Sequence, residues 1–377
     1  MNHVTNKKLR IAKFTLDGYF NYGNILQSYA LQQQLLAYAD VVDTIWTQPE
    51  GFLPKVWWKW NWKTYIKYIL NWYDLRSQIH SGKIGLEMVR QARMRDFVDR
   101  YISYYRQEKN LDKAMESYDF CVVGSDQVWN PHFGNYHQFF LSFAAPEKRI
   151  SYAASISTPE IPPAELNFFK KGLEGMKTLS LREHAGAELV EKLTGRKAEV
   201  HVDPTLLLTA DEWRKVSRRP TWYHGQPYLL TYFLGPMPEE VKKLTQRLGL
   251  SVVNLLDKTN YDHYVTGVDE FLWAIEHAEL IYTDSFHGTV FSIIFRRPFV
   301  VCDRQAENPK DMVSGKMSSR IDTLLQYFGL ESRRGTAQNS YQIENSLHIS
   351  YPDFVDDVFA RERKRADEYL RKAMNLE

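Results

Sequence analysis

Residues 280–292 read Leu-Ile-Tyr-Thr-Asp-Ser-Phe-His-Gly-Thr-Val-Phe-Ser, and this stretch constrains the fold more than any other. An apolar run, Leu280 to Tyr282, stops at small polar residues. His287 and Gly288 follow, and then Thr289, Val290, Phe291, Ile293, Ile294 and Phe295 take on helical spacing. A strand that ends in a tight turn and runs into a helix places that turn at the carboxyl edge of a sheet, where open α/β sheets bind ligands. The helix start offers free backbone N–H groups and the positive end of its dipole, both of which favour an anion. A histidine there titrates near neutral pH and suits acid/base work beside a phosphate or carboxylate. The competing reading makes His287 a capping or packing residue.

The same construction recurs. Arg10 to Leu16 reads as a first strand, followed by a polar loop to Gly23 and a helix opened by Asn24 and running to about Leu36. Tyr118 to Asp126, Ile150 to Ser155, Leu179 to Arg182 and Val200 to Asp203 read as further strands, with a helix from His184 to Leu193. Residues 211–227 read as loop and divide the chain. A second alternating set follows: strand Tyr228 to Leu234, helix Pro238 to Leu248, strand Ser251 to Leu256, helix Val268 to Glu279, the His287 turn, and strand Pro298 to Cys302. Ile321 to Phe328 reads as a helix, and Tyr351 to Leu376 as an amphipathic one.

Alternation of this kind predicts an α/β fold with parallel sheets. The length of 377 residues calls for two domains. The expectation is therefore two Rossmann-like lobes facing a central cleft. The first spans 1–215 with an aromatic and basic insert at about 52–106, the second spans 222–345, and a C-terminal helix occupies 346–377. In the insert, Glu87 to Arg106 reads as a basic helix.

Composition narrows the function classes. With 44% apolar and 25% charged residues the chain is an ordinary globular protein. A net charge of +2 gives no strong field for nucleic acid. Cys121 and Cys302 sit inside apolar runs and read as buried strand residues, without a disulfide or a metal-ligand spacing. The N-terminus lacks the apolar segment of a signal peptide, and no window is apolar enough to span a bilayer, so a cytoplasmic location is expected.

Three other strand ends could carry chemistry. Gly124-Ser125-Asp126 offers a hydroxyl and a carboxylate. Arg182 offers a fork to a phosphate or carboxylate. Asn21-Tyr22-Gly23-Asn24 offers amides and backbone donors before a helix. Taken singly, Asp126 could cap the next turn, Arg182 could pair with Glu183, and Asn24 could be a plain N-cap. Their shared placement at strand ends favours one site.

Six segments, in order, carry a resemblance: Asn21-Tyr-Gly-Asn-Ile-Leu-Gln-Ser-Tyr-Ala-Leu-Gln32, Val122-Val-Gly-Ser-Asp-Gln-Val-Trp-Asn-Pro131, Ser151-Tyr-Ala-Ala-Ser155, Ser180-Leu-Arg-Glu183, Val202-Asp-Pro-Thr-Leu-Leu-Leu208 and Thr283 to Ser292. Together they resemble the polysaccharide pyruvyl transferase family, over about residues 10–335. Arg320 to Leu325 also resembles a late segment of a bacterial branch. The resemblance implies a fold similar to the GT-B glycosyltransferases. It implies transfer of a pyruvyl group from phosphoenolpyruvate to a sugar of a cell-surface glycan, with no metal or cofactor beyond that co-substrate. It casts His287 as the acid/base residue and Arg182 as a donor ligand. Many relatives carry an arginine two positions before the histidine, where this chain has Ser285; Arg320, Arg304 and Lys316 are the candidate substitutes.

The expected site thus comprises catalytic His287 and Asp126. Arg182, Ser285, Gly288, Thr289 and Arg320 stand on the donor side, and Asn21, Asn24, Ser125 and Gln127 on the acceptor side. The tryptophans Trp57, Trp58, Trp60, Trp62 and Trp72 suit packing of the insert onto the first lobe. They also suit a sugar-stacking lid, or a membrane interface near a lipid-linked acceptor. Two other functions share this pattern: a GT-B glycosyltransferase using a nucleotide sugar, and a non-catalytic glycan- or anion-binding relative.

Overall fold

The computed structural model describes residues 9–16, 18–46, 83–106, 111–132, 136–305, 319–335 and 350–376. Two parallel sheets organise it. The first runs β3-β2-β1-β4-β5, built from β1 (Arg10–Phe14), β2 (Val41–Trp46), β3 (Tyr104–Arg106), β4 (Phe120–Val123) and β5 (Arg149–Ser151), with every pair parallel. Parallel bridges from Ile150 to Thr178 and from Ala154 to Leu181 extend it towards β6 (Ser180–Leu181) and β7 (Glu199–Val200). The second sheet runs β11-β10-β8-β9, from β8 (Tyr228–Tyr232), β9 (Ser251–Asn254), β10 (Leu280–Thr283) and β11 (Phe299–Val301). Strands β4, β8, β10 and β11 are buried at every residue, as parallel strands covered on both faces must be.

Strand order positions the site. In the first sheet the order reverses between β1 and β4, and in the second between β8 and β10. Reversal opens a crevice at the carboxyl ends of the flanking strands. The ends of β1 and β4 lead into residues 15–24 and 124–126, and the end of β10 leads into the His287 turn. The Gln27 amide donates to the Thr15 hydroxyl, which donates to the Ser125 carbonyl, tying the two first-sheet strand ends together.

Helix α1 (Tyr22–Leu35) lies between the lobes and is buried along most of its length. Tyr22 stacks on Phe271 at 4.4 Å between ring centres and donates its hydroxyl to the Thr266 carbonyl. Helix α2 (Lys83–Tyr101) also reaches the second lobe. Its Arg93 grips both carboxylate oxygens of Glu270 at 2.8 and 2.7 Å, and Arg100 meets Asp269 at 3.0 Å, on a helix spanning Val268–Glu276. A single apolar cluster runs from Ile11 and Leu26 through Phe271 and Phe291 to Leu370, so the lobes share a core. The last helix, Val355–Ala373, folds back on the first lobe, where Tyr369 donates to Ser151 and Arg363 to the Leu207 carbonyl.

Several boundaries differ from expectation. Asn21, not Asn24, caps α1, because its side chain accepts from the Gly23 N–H. Helix α2 stops at Tyr101, and Tyr104–Arg106 becomes an edge strand paired with β2, neither strand being foreseen. The loop expected at 211–227 opens with a short helix, Ala210–Arg214, held by a capping box between Thr209 and Glu212 and by fully buried Trp213. Trp57 to Trp72 and Lys316 lie outside the described residues. Among the described residues no helix is long and apolar enough to cross a membrane.

Candidate functional site

Strand β10 ends at Thr283, and the turn after it is self-bonded. The Thr283 hydroxyl accepts from the Ser285 N–H at 3.0 Å, and Ser285 caps the helix Phe286–Ile294 by accepting from the Gly288 N–H at 3.2 Å. The Thr289 N–H and hydroxyl both donate to the Ser285 carbonyl. Asp284 accepts from the N–H groups of Leu234 and Gly235 and sits 3.4 Å from Arg304, which joins the end of β8 to that of β10. This corrects part of the expected donor set. The Gly288 and Thr289 N–H groups are spent within the turn, so they hold the helix start instead of standing open to an anion, and the Ser285 hydroxyl serves as the cap that accepts from Gly288.

Three strand ends of the first lobe converge on Asp203, a buried residue that the sequence reading did not single out. One of its oxygens accepts from the Thr205 N–H and hydroxyl at 3.0 and 2.7 Å, which fixes the carboxylate's rotation. The other accepts from Arg182 at 2.7 Å and from the Ser125 hydroxyl at 2.8 Å. Arg182 also lies 3.6 Å from Asp126. Asp126 has φ = 70°, a left-handed conformation that aspartate tolerates better than most residues. Arg182 thus pairs with Asp203 and Asp126. Glu183 instead accepts from Ser155, Ile156 and Ser157.

The lobes meet at His287. Its Nε2 faces the shared Asp203 oxygen at 3.6 Å, and its ring lies against Gly23. A Cβ on Gly23 would sit 2.0 Å from Nδ1, so this helical glycine is there for close approach and not for its backbone freedom. Asp126, Arg182, Asp203 and His287 form a continuous line of ionisable side chains across the interface. Burial alone would raise the Asp203 carboxyl. His287, Arg182 and the Thr205 hydroxyl outweigh it and hold the group far below the usual carboxylate range.

A small, partly open pocket lies beside this line, with Arg182, Asp203, Phe286, Arg320, Thr323 and Tyr327 in its wall. The guanidinium of Arg182 lies 4.5 Å from the Phe286 ring centre and that of Arg320 lies 5.8 Å from it. Arg320 enters from the helix Ser319–Phe328. Burial and the charge of Arg182 push it down to about 10. Nε of Arg320 and both Nε and one terminal nitrogen of Arg182 are buried without a hydrogen-bond acceptor. Buried donors of this kind are costly unless a ligand completes them, and Arg320, unlike Arg182, has no carboxylate within ion-pair distance among the described residues.

The expected acceptor residues divide. Ser125 is fully buried and committed to Asp203, so it is corrected to a support of the carboxylate. Asn24 is buried and donates to the carbonyls of Leu16 and Gly18, holding the loop after β1. Asn21 caps α1 and accepts from Tyr232 of the second lobe at 3.3 Å. Gln127 is half-buried, its carbonyl oxygen held by Asn130. Asp203 and Gly23 were missed for the same reason: each matters through a partner distant in sequence. The aspartate before Pro204 at a strand end was the available signal.

A family model described as polysaccharide pyruvyl transferase matches residues 21–305, more than half of the 377-residue chain. A sequence search of curated proteins finds no match. Among solved structures the chain is similar to a UDP-N-acetylglucosamine 2-epimerase, with 12% identity, TM-score 0.48, and 98% of this chain and 97% of that chain covered. It is also similar to the UDP-GlcNAc 2-epimerase of Neisseria meningitidis bound to UDP-GlcNAc, at 10% identity, TM-score 0.40 and coverage of 94% and 100%. The wall teichoic acid polymerase TagF aligns at 11% identity, TM-score 0.39 and coverage of 96% and 90%.

Proposed function

The chain belongs to the polysaccharide pyruvyl transferase family, and from that premise we propose that it moves the pyruvyl group of phosphoenolpyruvate onto a sugar of a cell-surface polysaccharide or its lipid-linked precursor. The observation that carries this reading is the buried Arg182–Arg320 pair, which lines a pocket beside the Asp203–His287 contact and keeps three buried nitrogens without a hydrogen-bond acceptor. Phosphoenolpyruvate has a phosphate and a carboxylate on one carbon, and two guanidinium groups over one aromatic ring suit that pair of anions.

The route balances with the residues present. A proton delivered to C3 makes C2 electron-poor. One sugar hydroxyl adds to C2 and gives up its proton to a base. The C2–O bond to phosphate then breaks, and a neighbouring hydroxyl closes the ketal, its proton leaving with the phosphate. His287 is the proposed proton carrier, with Asp126 as second base or acceptor ligand. Arg182 and Arg320 hold the donor and take up the charge that grows on the departing phosphate. Arg320 fills the cationic role that relatives give to the position of Ser285.

The test is release of inorganic phosphate from phosphoenolpyruvate in the presence of a glycan acceptor, with the ketal methyl group followed by NMR. Thermal stabilisation by phosphoenolpyruvate and not by nucleotide sugars is expected alongside. Stabilisation by a nucleotide sugar alone, without phosphate release, would replace this reading with that of a glycosyltransferase.

A further inference from the structure

We propose that Asp203 is a positioning residue that links occupancy of the Arg182 site to the proton on His287, an inference that rests on the anion-binding role assigned to Arg182. One Asp203 oxygen is shared three ways. Arg182 holds it at 2.7 Å and Ser125 at 2.8 Å, whereas His287 Nε2 stands off at 3.6 Å. The first two are hydrogen bonds; the third is an ion-pair distance too long for one. His287 Nε2 is buried and has no other acceptor.

A carboxylate oxygen has room for about two good hydrogen bonds. Arg182 and Ser125 fill that room in the unliganded protein, so Asp203 is under-used by the histidine. An anion that draws the Arg182 guanidinium towards the cavity lengthens its bond to Asp203. The vacated lone pair then faces the His287 N–H, and the imidazolium gains a full partner. Donor binding would thereby load the proton that the enol carbon must receive. After His287 has given its proton to C3 and taken one from the acceptor hydroxyl, release of phosphate returns Arg182 to Asp203 and lets that second proton go.

The charges around His287 support this division of labour. Asp203 is the carboxylate facing its ring, with Arg182 and then Asp126 behind it. Helix α1 opposes the ring with Gly23 and carries no charged residue. Arg320 comes from the helix Ser319–Phe328 and lies over the neighbouring Phe286. Asp284, in the same turn, is engaged by Leu234, Gly235 and Arg304. Asp269 and Glu270, on the helix packed beside it, are engaged by Arg100, Arg218 and Arg93.

The experiment is a pH titration of nitrogen-labelled histidine by NMR, with the His287 signal identified by its loss in His287→Gln. In the wild type, saturating phosphoenolpyruvate should raise the proton affinity of His287 about tenfold, the size expected when an opposite charge gains a close partner. Ser125→Ala removes one claimant on the shared oxygen and a 3.3 Å acceptor of Arg182, while Arg182 keeps its 2.7 Å bond to Asp203. It should raise the proton affinity of His287 in the ligand-free protein by several-fold. In Asp203→Asn the rise on adding phosphoenolpyruvate should be clearly smaller than in the wild type. Ser125→Ala titrating like the wild type overturns the proposal even if Asp203→Asn fails to fold. An equal ligand-induced rise in wild type and Asp203→Asn also overturns it, by showing a direct field effect of the anion. If phosphoenolpyruvate does not bind the wild type by calorimetry, the donor reading fails on its own, while the ligand-free comparison with Ser125→Ala still judges the link.

Discussion

Two histidines are buried among the described residues, and their surroundings differ. His201 lies two residues before Asp203, with its ring against Tyr152 and Tyr369 and its Nδ1 on the Ser180 hydroxyl at 2.9 Å. Burial and the nearby charge of Arg365 push it down to about 4, so it is neutral across the physiological range. His287 comes from the other lobe, faces Asp203 and borders the wall of the cavity through Phe286. Both side chains are almost wholly buried. Burial therefore does not mark the functional one. What separates them is that the carboxylate facing His287 is the buried Asp203, whereas the one facing His201, also at 3.6 Å, is the exposed Glu199, and that a pocket lined by Arg182 and Arg320 lies beside His287 alone.

Exchanging the two roles should give the largest effect. His287→Ala is expected to lower phosphate release from phosphoenolpyruvate by about 10³-fold, the range of a lost general acid or base. His201→Gln keeps a partner for Ser180 and should leave turnover within about threefold, since the groups that the His201 nitrogens meet, Ser180 and Glu199, are not in the pocket wall. Turnover that survives at His287→Ala and collapses at His201→Gln would reverse the assignment.

Acid tests the other half of the contrast. Because His201 is held at about 4 against its ordinary 6.5, the unfolded chain takes up a proton before the folded one as pH falls. This group leaves stability unchanged above about 6.5. It erodes stability between about 6.5 and 4, by up to about 3 kcal/mol, and adds nothing further below that. Urea unfolding of wild type and His201→Gln at pH 7 and pH 4.5 should show a smaller acid loss in the variant. Parallel losses would place the acid sensitivity elsewhere.

Gly23→Ala comes next, because it attacks the contact that only one of the histidines has. The added methyl carbon would lie 2.0 Å from Nδ1 and 2.5 Å from Cγ of His287, so the ring must move off its line with Asp203. A misplacement of about 1 Å at a reacting group costs on the order of 10²-fold in rate. The variant should fold, lose that much in kcat, and keep its affinity for phosphoenolpyruvate, because Arg182 and Arg320 are untouched. Unchanged kcat would mean that the ring position against α1 is not part of the chemistry.

How far these features could be read in advance follows from the range of the interactions behind them. The β10 turn was legible because an apolar strand, a polar turn and a helical repeat are local signals, and His287 lies inside that pattern. Arg182 was legible for the same reason. Strand β3, by contrast, is three residues long and exists by pairing with β2, so Tyr104 to Arg106 read as the end of a helix. Asp203 sits at a strand end like the others, yet its importance lies in partners at Ser125, Arg182 and His287, which only the folded chain brings together. Gly23 has no local signal at all, since a glycine in the first turn of a helix is unremarkable until the ring of His287 is placed on it.

Ser285 gives the smallest effect and the finest distinction. The sequence invites the view that this position lacks a cation and belongs to the donor side of the cleft. In the fold its hydroxyl accepts from the Gly288 N–H, its carbonyl accepts from Thr289, and its side chain is buried. A cap lost from a helix start costs about 1 kcal/mol. Ser285→Ala should therefore lower stability by about that amount in urea, with the KM for phosphoenolpyruvate moving by less than about threefold, because Arg320 supplies the second cation. Arg320→Met should do the reverse: KM rises by about tenfold or more, the loss expected for one charge-assisted contact to an anion. If instead Ser285→Ala raises KM and Arg320→Met does not, the anion sits on the helix start and the arginine pair over Phe286 is structural. That outcome would return His287 to the environment of His201, a buried ring without a ligand beside it.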